Sequence, residues 1–178
     1  MTSRVTSLPR RAFPPAPGNR VATLIEMSTP PRWLSAEEQL AWRAVLDLVI
    51  EVRREMDRGV AAFDLDGDDY EILVRISESP DGQLRMAELA SQSTIAPSRL
   101  SYRVDRLERR GIVERIDCPT DRRGLLATLT SQGRELLDRA APAHVEGVRT
   151  LLIDPLGSDG FIALGAVAGQ ILASRLEP

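Results

Sequence analysis

Apolar positions first fall into a repeating order after residue 35. Leu40, Ala44, Val45, Leu48, Val49, Val52 and Met56 recur at helical spacing behind Ser35-Ala36-Glu37-Glu38. That tetrapeptide is a capping box, with Ser at the cap and Glu three residues on. The pattern predicts a long first helix ending near Gly59. A second helix, about 67–78, turns Tyr70, Leu73 and Ile76 inward. Ser79-Pro80-Asp81-Gly82 is a turn, and Gln83-Leu84-Arg85 is long enough only for a small strand. A short third helix over 87–91 and a fourth from Pro97 to Arg110 follow, with Gly111 as the stop. Ile112 to Ile116 alternates as a strand, Pro119 to Gly124 is a polar turn, and Leu125 to Leu129 returns. Thr130 caps a fifth helix that carries Leu136, Leu137, Val145, Val148, Leu151 and Leu152. It is expected to kink near Pro142 and to break at Asp154-Pro155. A last helix, about 158–175, is apolar on more than one face, which suggests burial against a second chain.

The fold class expected is mostly α with a small β-wing. Short helix, turn, helix, strand, Arg-rich tip and strand in succession make a winged helix-turn-helix. Its helix-turn-helix spans about 86–110 and its wing about 112–129, within a domain over 63–141. The segments 32–62 and 142–176 are expected to form dimerisation helices. Residues 1–31 hold six of the twelve prolines, without apolar periodicity, and read as a disordered leader. Met27 is a candidate native start, which would make residues 1–26 an upstream extension.

Composition narrows the chemistry. The chain has 178 residues, room for one domain with an appendage. A single Cys118 excludes an intrachain disulfide, and with the single His144 it argues against a metal site. No cofactor loop or nucleophile–base pair is visible beyond residue 130, so no enzyme and no cofactor are expected. No apolar run is read as approaching the roughly 18 residues of a membrane span, and no secretory h-region is present. A cytoplasmic protein without a membrane partner is therefore expected. Asp64-Leu-Asp66-Gly-Asp68-Asp69 invites a calcium loop but fails it: Asp69 stands where that loop needs Gly, and Arg75 where it needs Glu. A turn and helix cap is the better reading.

All 23 basic residues are arginine, and the net charge is −3. The distribution is uneven. Residues 32–84 carry six Arg and thirteen acids, whereas residues 85–129 carry nine Arg and six acids. A basic middle in an acidic chain suits a polyanion. On the fourth helix Leu100, Val104 and Leu107 point inward, which leaves Ser98, Arg99, Ser101, Tyr102, Arg103 and Arg106 outside as candidate DNA contacts. A helix of that kind fits the major groove, and an arginine at a wing tip fits the minor groove. The plainer alternative is a solvated face, with Asp105–Arg109 and similar pairs at helical spacing.

Asp121-Arg122-Arg123-Gly124 followed by Leu129-Thr130-Ser131-Gln132-Gly133-Arg134 resembles the wing signature of the MarR family of regulators. Arg103 to Val113 resembles that family's recognition-helix end and its turn into the wing. The resemblance covers about residues 33–176. It implies a dimeric winged helix with Arg123 in the minor groove, Asp121 orienting it and Arg122 near phosphate. It further implies a repressor on a pseudo-palindromic duplex DNA operator, and release by a small aromatic or anionic effector. Trp33 and Trp42 would be interface or core residues, or would line the effector pocket. Cys118 is read as a bystander thiol rather than a redox sensor, and His144 as a packed residue rather than a ligand. The competing reading is a winged helix that binds protein and not DNA, which the net acidity keeps open.

Overall fold

The computed structural model describes residues 31–119 and 121–174, apart from the side chains of Asp121, Arg122 and Arg123. The leader and the Met27 start lie outside the described residues. Helix α1 runs Ala36–Val60. Its capping box is formed in both directions: Glu38 N donates to Ser35 Oγ at 3.1 Å, and Ser35 N donates to Glu38 Oε2 at 2.6 Å. Two of the orphan N–H groups of the first turn are thereby satisfied. Helix α2 is Gly67–Glu78, capped by Asp66, whose carboxylate accepts from Asp69 N at 2.9 Å. Strand β1 (Gln83–Arg85) precedes α3 (Met86–Gln92) and α4 (Pro97–Arg109). Strands β2 (Val113–Cys118) and β3 (Asp121–Leu129) form the wing. The sheet is antiparallel in the order β1-β3-β2, with Leu84 opposite Ala127 and Arg115 opposite the same residue from the other side.

The core belongs to the winged domain. Ile72, Leu73 and Ile76 of α2, Leu89 of α3, Leu100, Val104 and Leu107 of α4, and Ile112 and Val113 at the wing base are fully or almost fully buried. These are aliphatic side chains at the predicted inward positions, and their burial is the main favourable term. Helix α1 contributes only Val60 to this core.

Three details differ from the sequence expectation. The wing strands extend further toward the tip and the turn is tighter, because pairing continues to Cys118 opposite Asp121, past an irregularity between Asp117 and Cys118. The polar stretch 119–124 therefore includes the start of β3 as well as the turn. Helix α5 (Ser131–Val148) runs on through Pro142. A five-residue π stretch, Arg149–Ile153, then leads directly into α6 (Asp154–Ala173) without a break at Asp154-Pro155. Pro155, the second residue of α6, follows this π stretch, where the helix is already wider than α. The interruption falls at Gly157, with φ 71° and ψ 161°.

The expectation about apolar length also needs correction. The continuous helical segment Ser131–Ala173 contains an 18-residue window of mean hydropathy 1.4, long and apolar enough by composition to cross a membrane. Gly157 divides that segment. The stretch from 158 to 173 is roughly 24 Å long at 1.5 Å per residue, short of a hydrocarbon core of about 30 Å.

One close approach fixes α5 against the turn between α4 and β2. Thr130 N donates to Ile112 O at 3.1 Å, Thr130 Oγ1 donates to Gly111 O at 2.6 Å, and Gly133 N donates to Thr130 Oγ1 at 3.0 Å. A Cβ on Gly133 would lie 2.0 Å from Ile112 O. Backbone cannot yield as a flexible side chain can, so Gly133→Ala is expected to cost about 3 kcal/mol. Urea denaturation checks this, and an unchanged midpoint would show that the contact is not tight.

Candidate nucleic-acid interface

Arg99, Arg103 and Arg106 of α4 and Arg110 at its C-cap follow a 4-3-4 spacing that lines them along one side beside the buried Leu100–Val104–Leu107 stripe. That side faces the first turn of α2. Arg103 reaches Asp66 Oδ1 and Oδ2 at 2.7 Å, Asp69 Oδ1 at 2.9 Å and Asp68 Oδ2 at 2.8 Å. Arg106 donates to Asp69 Oδ2. Arg110 reaches back to Asp64 O at 2.7 Å. Asp69 is completely buried and Asp68 nearly so. Three carboxylates at a helix N-terminus also meet the positive end of its dipole.

Two of the candidate contacts, Arg103 and Arg106, are engaged by acids of α2 in this structure. The Arg103 side chain is only 12% exposed, and Arg106 is partly buried. Arg103 pairs with α2 and not with an acid on its own helix. Of the predicted contacts, Ser98, Arg99, Ser101 and Tyr102 do lie on the exposed side, with Tyr102 63% exposed. Arg99 stands at the boundary: 65% of its side chain is exposed, yet Nη2 lies 3.6 Å from Asp68 Oδ2. Asp121, Arg122 and Arg123 begin β3 at the wing tip, and their side chains lie outside the described residues.

The wing is tied to α4 by another arginine. Arg115 of β2 donates to Asp105 Oδ1 at 2.6 Å and to Glu108 Oε2 at 2.7 Å. Much of the positive charge counted over 85–129 is thus matched within the fold. The sequence reading missed Asp66, Asp68 and Asp69 as structural partners. The signal was present in the acidic run beside an arginine stripe of helical spacing. A calcium site is not what these acids build, since arginine nitrogens occupy their oxygens. Among the described residues, no group of three or more His, Cys, Asp or Glu side chains is placed to hold a metal.

Titration follows from this geometry. Burial pushes Asp66 up, but the hydrogen bond from Arg103, the Asp69 N–H and the charges of Arg103 and Arg106 outweigh it and hold the carboxyl below its ordinary 3.8. Burial likewise works against the charged form of Arg103, and its bonds to Asp66 and Asp69 reverse this and hold it above its ordinary value. Away from α4, His144 of α5 packs on Tyr70 of α2 with ring centroids 4.5 Å apart, and burial lowers its pKa below 6.5. Cys118 is buried at the end of β2. Trp33 and Trp42 are 85% and 54% exposed, so neither is a core residue of this protomer.

Helix α4 with its exposed outer edge, the three-stranded sheet and the wing define a winged helix-turn-helix protein. Residues 68–125 match the model of the MarR family. Sco3205 of Streptomyces coelicolor, a MarR family transcriptional regulator solved in complex with DNA, is 43% identical. Its TM-score is 0.77, and the match covers 83% of this chain and 93% of that one. AbsC, a MarR family transcriptional regulator of the same organism, is 37% identical with a TM-score of 0.76, over 82% of this chain and 98% of that one. The HTH-type transcriptional regulator PecS of Dickeya dadantii is 25% identical over 139 residues, 78% of this chain and 83% of PecS. The chain belongs to the MarR family of transcriptional regulators.

A carboxyl held below its unfolded pKa adds stability that is fully present above that pKa and lost as pH falls through the folded value. Asp66 is such a group, so acid should weaken the α2–α4 contact from about pH 4 downward. Asp66→Asn keeps a capping side chain and removes the titration. Its unfolding midpoint should therefore depend less steeply on pH below about 4 than that of the parent. Parallel urea titrations from pH 6 to 3 check this, and identical slopes would contradict it.

Proposed function

We propose that the chain is a homodimeric, sequence-specific DNA-binding regulator that acts in the cytoplasm as a repressor. The observation that carries this is the outer edge of α4. It presents Ser98, Arg99, Ser101 and Tyr102 together, free of the core, next to a wing whose tip bears Arg122 and Arg123. Hydroxyls and a guanidinium near the N-terminal half of a groove-sized helix suit base edges and phosphates. Arg123 at the wing tip suits a narrow minor groove. The DNA complex of Sco3205 supports the same use of the fold. A winged helix that binds only protein has no general need for this edge and an arginine tip together.

Exposed apolar side chains on the first and last helices support a dimer. Trp42, Val45, Leu46 and Val49 of α1 and Ile162, Val167, Ile171 and Leu172 of α6 are all at least 42% exposed. Surfaces of this size and character are normally covered. Burying them against a second copy would place 32–62 and 142–176 at the seam and 63–141 on the DNA. Two protomers would then offer two α4 helices to half-sites roughly 10 bp apart. An aromatic or anionic effector would need space that the partner helps to complete. The cleft between α1 and α5, lined by Glu55, His144 and Leu152 among others, is about 20 Å³, room for a water.

Two measurements test this reading. Selection from random duplex DNA at a fixed salt concentration should enrich one pseudo-palindrome. Arg123→Ala should then weaken binding to it by about 1–3 kcal/mol. Failure of the folded protein to enrich any sequence would favour the protein-binding alternative. Sedimentation equilibrium should give twice the 19.6 kDa chain mass, and Val49→Glu should shift it toward one chain. A monomeric parent would contradict the dimer.

A further inference from the structure

Asp68 lies between three helices. It accepts from Arg53 Nη2 of α1 at 2.8 Å, meets Arg103 Nη2 of α4 at 2.8 Å, and has Arg99 Nη2 of α4 at 3.6 Å. Its own side chain is 7% exposed, whereas Arg53 and Arg99 are mostly in solvent. A nearly buried carboxylate shared by guanidiniums from two other helices fixes relative positions, because moving either helix strips a charge of its partner. Arg103 is pinned more tightly still, by Asp66 and Asp69 as well.

We propose that Arg103 and Asp68 are positioning residues for DNA reading, not contacts. Arg103 holds α4 against the N-terminal turn of α2, and Asp68, through Arg53, ties that pair to α1. The orientation in which α4 offers Ser98, Arg99, Ser101 and Tyr102 is set by this three-helix junction. Arg99, with 65% of its side chain exposed, is the most exposed member of the stripe and the one assigned to phosphate. The proposal rests on the DNA-binding reading above and assigns the arginines within it to separate tasks.

The alternative is that Arg103 leaves the aspartates and touches DNA. The two differ in the sign of one substitution. If Asp68 only competes for a DNA-contacting Arg103, then Asp68→Asn should raise discrimination between a selected duplex and its scrambled sequence. If Asp68 positions α4, then Asp68→Asn should lower that discrimination, about tenfold, and Arg103→Met should lower it at least as much. Using the ratio of the two affinities cancels the general gain from removing a negative charge near DNA. The salt dependence separates them again. A lost phosphate contact reduces the slope of log K against log salt by about 0.9, so Arg99→Ala should reduce it and Arg103→Met should leave it unchanged. Arg53→Ala should lower discrimination less than Asp68→Asn, and combining the two should add nothing.

Hydrogen–deuterium exchange of the free protein supplies a reading that needs no DNA. Asp68→Asn should speed exchange along α4 while the β2–β3 amides keep their protection. The proposal is overturned by increased discrimination in Asp68→Asn, by a reduced salt slope in Arg103→Met, or by unchanged α4 exchange in Asp68→Asn. If the parent protein binds no duplex at all, the DNA-reading proposal fails with it, and the exchange data then decide only whether the junction orients α4.

Discussion

The structure turns on a charge contact that neither helix could make alone. Three aspartates at the start of α2 face an arginine stripe on α4, and Arg103 lies within 2.9 Å of all three. A buried guanidinium without carboxylates would be costly, and so would Asp69, which has no solvent exposure. Together each makes the other tolerable. Burial of Leu100, Val104 and Leu107 provides the adhesion, but apolar contact is not directional. The apolar stripe selects the inward side of α4, and the ion pairs join that side to the first turn of α2.

A consequence is that the local charge count overstates the unpaired positive charge on α4. The basic balance of 85–129 pointed to a polyanion, yet Arg103, Arg106 and Arg115 are matched by acids within the fold. The outer edge of α4 is therefore nearly neutral, with hydroxyls, Tyr102 and Arg99. On the proposed DNA-binding reading, such an edge would favour discrimination by hydrogen bonding over strength by charge and would leave most of the phosphate attraction to the wing.

Local signals made much of the fold legible in the sequence. Ser35 and Glu38 announced the start of α1, Pro97 and Gly111 bracketed α4, and Thr130 marked the start of α5. The order of elements around Asp121 to Gly133 carried the family resemblance. What the sequence concealed depends on contacts distant along the chain. Asp66 and Arg103 are 37 residues apart, so no window of helical length contains both. Pro142 and Asp154-Pro155 suggested breaks that the surrounding helix absorbs, while the actual interruption needs the positive φ of Gly157. The need of α6 for a cover was legible in its apolar character on more than one face, whereas the α1 stripe read equally well as core packing or as a helix seam.

The most direct test of the account is the structure of the protein bound to a duplex it selects. Arg103 is expected to stay on Asp66, Asp68 and Asp69 while Ser98, Arg99, Ser101 and Tyr102 face the major groove. Arg103 on a base edge or a phosphate, with the aspartates left behind, would contradict it.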